Sequence, residues 1–328
     1  MPLPCPSGTI SLLDIQTEFG GSNPIGINEY YGVASGVPSS GQISFSDFFC
    51  KVAEVVVTIT NAENLNVSTL FSSAVWLSTT TNKKLIVNGT VGATSVSNYA
   101  LSISSDFGGR FTLVNNGNIY GAGGRPTTGT GGSGGNAILA GKSNIFIQNN
   151  GRIYAGGGSG GQGGTGGAGV YTTSGSSYWA NTTCSGNSMP CYQLNPPFPC
   201  NCGDNCRGIR ACGDGRNYTL WEKQCTYCYT NYYYTSGGAG GLGGRGQGYE
   251  GADASGSTGS AGGTNAGTGG TGGAGGTWGS TGNTGNTGLN GNNGAGSSGY
   301  LGGAAGYYIV NNSNVTWLAT GTRLGRVG

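Results

Sequence analysis

The chain has 328 residues, of which 72 are glycine, with 8% charged residues, no histidine and a formal net charge of +2. That balance excludes a polybasic nucleic-acid binder and a chain with an acidic tail. Glycine at this level cannot fill an ordinary hydrophobic core, so something other than side-chain packing must order much of the chain.

No run of about 18 consecutive apolar residues occurs, so no membrane span is expected. The N-terminus, MPLPCPSGTISLLDIQTEFG, lacks the basic start and apolar stretch of a secretory signal, and synthesis in a cytoplasm is expected. Residues 1–51 read as a compact N-terminal module. Leu12, Ile15 and Phe19 have helical spacing, Ser11 and Asp14 have the spacing of a capping box, and Asn23-Pro24 marks a turn. The apolar face of that helix fits either docking onto a partner or a small self-contained core.

Residues 52–110 read as a β-rich domain. VAEVVVTIT, KKLIVNGTV and ALSISS are strand-like, and NLNVSTLFSSAVWL has room for a short helix capped by Asn64 or Asn66. Residues 111–169 bring an internal repeat: FTLVNNGNIYGAGG from Phe111 and IFIQNNGRIYAGGG from Ile145, with a worn copy, YYIVNNSNVTWLATG, from Tyr307 in which Ser313 replaces the glycine. Each copy reads as a strand, a tight turn built from residues that tolerate positive φ, and a second strand.

The glycine tracts that follow hold a period of three: Ser159, Gln162, Thr165 and Ala168; then Ala239, Leu242 and Arg245; then Thr268, Thr271, Ala274 and Thr277. A flexible linker has no reason to keep register, whereas a left-handed extended helix has three residues per turn and no internal hydrogen bonds. Such helices are stable only where they bond to one another, and only glycine lets backbones come that close. A collagen reading fails for want of proline, because none lies between Gly237 and Gly306. The expected fold class is mostly β with packed polyglycine II helices in a glycine-rich sandwich, carrying a small N-terminal module and a disulfide-rich irregular insertion. Residues 237–328 supply further tracts and the C-terminal strand repeat.

Residues 170–236 are that insertion. They hold eight of the ten cysteines, Cys184, Cys191, Cys200, Cys202, Cys206, Cys212, Cys225 and Cys228. Four thiolates could hold zinc, but the spacing matches no paired ribbon, and an even cysteine count in a short loop-rich segment favours disulfides; about 105 pairings exist and none is assigned. Aromatic and arginine side chains that exceed what so short a segment can bury make it the candidate recognition surface: Tyr178, Trp179, Tyr192, Arg207, Arg210, Arg216, Trp221, Tyr232, Tyr233 and Tyr234. Asp204, Asp214 and Glu222 have no spacing that makes them converge as an acid–base pair, and without histidine the common nucleophile arrangements are missing. The tracts also lack the phosphate-loop lysine pattern. Neither catalysis, a cofactor nor a metal is expected.

The succession VTITNAENLNVSTLF, KKLIVNGTVGAT, ALSIS and FTLVNNGNIYGAGG resembles the glycine-rich module of tail-fibre and tail-tip proteins of tailed bacteriophages. The opening ISLLDIQTEFGGSNPIGINEYYGVASGVPSSGQISFSDFFCK is similar to an N-terminal segment recurrent in phage virion proteins, and the overall plan resembles the distal adhesins of T-even-like phages. The resemblance covers most of the chain outside residues 170–236. It implies packed polyglycine helices that display variable receptor-binding loops. It further implies a virion protein joined through residues 1–51 to other tail or baseplate proteins, recognising a host outer-surface protein or glycan; a homotrimer is one assembly open to it. The alternative is a purely structural spacer or decoration in the tail.

Overall fold

The computed structural model describes residues 3–5, 8–34, 36–179 and 225–328. The N-terminal module holds helix α1 (Leu12–Phe19), whose start is the expected capping box: the Ser11 hydroxyl accepts from the Asp14 amide and the Asp14 carboxylate accepts from the Ser11 amide. The Ser11 hydroxyl also donates to the Asp14 carboxylate at 2.6 Å, and with the Ser11 amide it holds that carboxyl below its ordinary pKa. Ile15 and Phe48 are fully buried with Leu3, Tyr30 and Val37, and the rings of Phe19, Tyr30 and Phe48 meet at 6.1 to 6.4 Å. The module therefore has its own core. A disulfide between Cys5 and Cys50 closes it, although those were the two cysteines outside the expected framework. Glu18 accepts from the Ala53 amide and ties the module to the first strand.

The β-rich region is a three-sided parallel β-helix of five coils. The first coil is β1 (Glu54–Ile59), β2 (Ala62–Glu63) and β3 (Leu65–Asn66); the second is β4 (Asn82–Val87), β5 (Thr90–Gly92) and β6 (Leu101–Ile103). The third is β7 (Phe111–Asn115), β8 (Asn118–Tyr120) and β9 (Ile138–Ala140). In the fourth, β10 (Ile145–Asn149) and β11 (Arg152–Tyr154) are followed by a two-stranded ribbon, β12 (Gly169–Trp179) and β13 (Cys225–Thr235), before β14 (Tyr307–Val310) completes the turn. The last coil is β15 (Val315–Ala319), β16 (Thr322–Leu324) and β17 (Arg326–Val327). The first, second and third strands of every coil stack in parallel into three five-stranded faces. Between β3 and β4, Asn66 caps a 3₁₀ turn at Val67–Leu70, and the short helix α2 (Ser73–Leu77) takes Ser72 as its cap.

Inward residues form ladders from coil to coil: Val57, Leu85, Leu113, Ile147 and Trp317 on the first face, Val91, Ile119 and Ile153 on the second, and Leu65, Leu101, Ile138 and Ile309 on the third. Most are fully buried in one core. Lys83 shares it: its ammonium donates to the Ser78 and Gly108 carbonyls at 2.5 and 2.6 Å, and burial pushes its pKa down.

The Asn-Asn-Gly repeat is therefore a corner between two faces, not a hairpin. The side chains of Asn88, Asn116 and Asn150 form an outer ladder at 2.9 Å, and the buried Asn115 donates to Asn149 at 2.8 Å. The glycines are needed for close stacking rather than for positive φ: a Cβ at Gly117 would lie 1.9 Å from the Gly89 carbonyl oxygen, and one at Gly151 would lie 2.0 Å from that of Gly117. The worn copy at Tyr307 occupies a different corner, from the third face to the first. The true fifth counterpart is Ala319-Thr320-Gly321, between β15 and β16, where Gly321 has φ +48°.

Between β11 and β14 the chain leaves the β-helix and runs back and forth in glycine tracts, bonded tract to tract at every third residue. Gly160, Gly163 and Gly166 donate to Gly244, Gly241 and Gly238 at 2.8 Å; Gly161, Gly164 and Gly167 donate to Asn283, Asn286 and Leu289 at 2.8 to 2.9 Å. Gly238, Gly241 and Gly244 pass the pattern on to Gly267, Gly270 and Gly273, which donate back to Gly167, Gly164 and Gly161. The tract from Gly156 to Ala168 is thus the hub of the bundle. Not all of its period-three positions face outward: Ser159 is fully buried and its hydroxyl accepts from the Gly132 amide, while Thr165 and Ala168 are exposed.

Candidate recognition end

Two sets of turns terminate the tracts. At the near end, Tyr249 lies against Gly92 and donates to Glu63 at 3.0 Å, which raises the pKa of its phenol. Trp278 packs against the stacked rings of Tyr120 and Tyr154, at 4.6 and 5.9 Å. These contacts seat the tracts on the second face of the β-helix.

At the far end, three connections meet. The ribbon β12–β13 rises from the hub tract, paired antiparallel from Gly169 with Thr235 to Trp179 with Cys225. Asn292, in the turn after Gly291, uses its side-chain oxygen to accept from the Val170 amide and its nitrogen to donate to the Val170 carbonyl, at 2.8 and 2.9 Å. Asn265 donates to the same carbonyl at 3.1 Å, and the Thr235 hydroxyl donates to Thr264 at 2.7 Å. The base of the ribbon is clamped from both sides by backbone-directed bonds that specify position rather than sequence.

Above the clamp the described surface is tyrosine. Tyr232, Tyr233 and Tyr234 are 64%, 43% and 72% exposed, and Tyr171 stacks on Tyr233 at 5.2 Å. Of the other expected recognition residues, Tyr178 and Trp179 lie on β12 with only their backbone described, whereas Tyr192, Arg207, Arg210, Arg216 and Trp221 lie outside the described residues. The same holds for Asp204, Asp214 and Glu222 and for Cys184, Cys191, Cys200, Cys202, Cys206 and Cys212, while Cys225 and Cys228 are placed by backbone on β13. The one disulfide among the described residues is Cys5–Cys50, so the expected disulfide framework of the insertion stays an expectation. Among those residues no group of three or more His, Cys, Asp or Glu could hold a metal, and no helix is long and apolar enough to cross a membrane. Sequence reasoning missed Asn265 and Asn292; their signal was the asparagines that interrupt the glycine period at the far turns.

A family model, the phage tail fibre adhesin Gp38, matches residues 54–219, from the first residue of β1 into the insertion. The chain belongs to this family of tail fibre adhesins. Its place is accordingly the tail of a bacteriophage virion, and residues 1–53 precede the matched region. A solved structure, the gp37–gp38 adhesin tip complex of the bacteriophage S16 long tail fibre, is similar at 17% identity with a TM-score of 0.42, covering 95% of this chain and 91% of that one. No curated protein matches.

Proposed function

We propose that this adhesin recognises a host outer-surface protein or glycan through residues 170–236, displayed on a scaffold of polyglycine II helices, while residues 1–51 join it to neighbouring tail proteins. The observation that carries the reading is the placement of the ribbon: it leaves the hub tract at the end opposite the β-helix and is clamped there by Asn265 and Asn292. Polyglycine II geometry accounts for the tracts, since three residues per turn aim successive amides at three different neighbours. At ~3.1 Å per residue, the hub tract from Gly156 to Ala168 sets the ribbon on the order of 40 Å from the β-helix.

Exposed tyrosines supply rigid contact area at low entropic cost, and binding energy concentrates in a few aromatic and Arg anchors. The scaffold itself is bound by glycine to offer little side-chain chemistry. A purely structural spacer would need no such tip, and nothing in the reading asks for catalysis. Deleting Thr172 to Thr235 and rejoining the flanking tracts is expected to leave particles that assemble but no longer adsorb to the original host. Normal adsorption by those particles would favour the spacer.

A further inference from the structure

The outer side of the first face carries a groove of about 320 Å³ that none of the recognition chemistry uses. It begins beside Ala34 and Lys51 of the N-terminal module and crosses the five strands of that face, past Lys84, Arg110, Thr112 and Gln148, to Leu318. Five strands span four spacings of ~4.8 Å, or about 19 Å, which is the length of about six residues of extended chain at ~3.3 Å each. Leu318 stands at the far end because the register between β10 and β15 slips at Ile147 and Gln148, and it is half-exposed there.

The groove is cationic. Lys84 and Arg110 line it beside a single carboxylate, Glu54, and that carboxylate is already paired with Lys84 at 3.4 Å. Arg110 is different in kind. Its guanidinium lies 3.8 Å from the centre of the Phe146 ring, its Nε is buried without a hydrogen-bond partner, and it forms no ion pair among the described residues. An arginine held flat on an aromatic ring has lost its freedom before any ligand arrives, and its terminal nitrogens present a planar fork that suits a carboxylate. Polar groups left this way are uncommon in a folded protein and call for an acceptor.

We infer that this groove docks an extended, acidic peptide segment of a neighbouring tail protein, with a carboxylate of that segment received by Arg110. The length of the groove, its apolar ends at Val52 and Leu318, and the amide and hydroxyl groups of Asn82, Thr112 and Gln148 along it suit a peptide better than a free anion. The inference rests on the assembly role of the N-terminal module, which forms one wall of the groove.

Two measurements on intact particles test it. Carbodiimide coupling joins a carboxyl to an amine by direct amide formation, so peptide mass spectrometry is expected to find Lys84 or Lys51 joined to an Asp or Glu of another tail protein. Crosslinks to other proteins at the N-terminal amine, with none at these two lysines, would overturn the groove and spare the assembly role of residues 1–51. A lack of intermolecular crosslinks at all three amines would remove both. In the second measurement, particles are washed in about 1 M NaCl, where exposed ion pairs are screened. An Arg110→Gln chain is expected to be retained on the order of tenfold less than wild type and an Arg110→Lys chain to fall between them, because Lys keeps the charge and loses the fork. Retention of Arg110→Gln at the wild-type level, with melting of the isolated protein unchanged, would overturn the inference.

Discussion

Gly163 lies in the middle of the hub tract, and replacing it with Ala tests the backbone packing at its most demanding point. A Cβ there would stand 2.0 Å from the Gly270 carbonyl oxygen and 2.5 Å from its carbon, both backbone atoms of the neighbouring tract at Gly267 to Gly276. Side-chain carbons do not approach below about 3 Å, so that tract must retreat by about 1 Å. The bonds that hold it there, from Gly270 to Gly164, Gly267 to Gly167 and Gly273 to Gly161, are all 2.8 Å long. A retreat of that size breaks two or three of them among buried backbone groups, at ~1–3 kcal/mol for each bond lost, for a total of about 2–9 kcal/mol. The entropic gain of Gly→Ala, ~0.4–1 kcal/mol, does not offset this. At ~2–4 °C per kcal/mol the melting midpoint should fall by on the order of 10 °C. Thr165→Ser is the control: its side chain is exposed and its hydroxyl can still meet that of Ser297, now 3.0 Å away. Calorimetry of both variants decides it. A Gly163→Ala midpoint as close to wild type as that of Thr165→Ser would refute the packing.

Three further outcomes follow from particular residues. Burial lowers the Lys83 pKa below its ordinary 10.5, so the unfolded chain binds its proton more readily; wild-type stability should rise relative to Lys83→Met between the depressed value and 10.5, as read by denaturant midpoints across that alkaline range. A flat difference would mean that the carbonyls of Ser78 and Gly108 fully compensate the charge. Cys50→Ser opens a loop with a sequence separation of 45, for which chain entropy gives a loss of about 4 kcal/mol, and a low-temperature melting step confined to the N-terminal module is expected by calorimetry. Asn292→Ala removes both bonds to Val170, at ~0.5–1.5 kcal/mol each, and should speed proteolysis at the base of the ribbon while the main melting transition stays in place.

The local signals of the chain were legible because they depend on neighbours in sequence. The Ser11–Asp14 cap, helix α1 and the strands at Glu54, Asn82 and Phe111 all appear where spacing and side-chain type place them. What the sequence hid was pairing. A strand, Asn-Asn-Gly and another strand describe a hairpin and a β-helix corner equally well, and the choice depends on whether the second strand folds back or meets a later copy of itself. The decisive contacts, Gly89 on Gly117 and Gly117 on Gly151, lie 28 and 34 residues apart in sequence. For the same reason the copy at Tyr307 looked like a third repeat although it turns a different corner. At the far end of the tracts, Tyr232 to Tyr234 were legible as surplus aromatics, while Asn265 and Asn292 act on Val170 across 95 and 122 residues, a partner that sequence neighbours do not point to. Cys5 and Cys50 were passed over because each stands alone in its own segment.

Glycine content differs between the tracts, and glycine stands where a Cβ would meet the carbonyl of a neighbouring tract. The hub tract, and those at Gly237 to Gly248 and Gly267 to Gly276, bond to at least three others and keep glycine at two positions of every three. The tract from Ala254 to Gly262 bonds to only two, through Ala254, Ser257 and Ser260, and keeps only Gly256, Gly259 and Gly262. In that tract a Cβ at Gly256 would still meet the Gly272 carbonyl oxygen at 2.1 Å, whereas Thr258 is exposed. A side chain is thus excluded where its Cβ would meet the backbone of a neighbouring tract, and a position that points away from such a contact is free to vary. Thr258→Val should therefore stay within ~0.5 kcal/mol of wild type, as a surface change does. Gly256→Ala, two positions away, should cost several times more and approach Gly163→Ala. Denaturant midpoints for the pair test the rule without touching the hub, and equal tolerance at both sites would show that this outer tract is held by something other than close backbone contact.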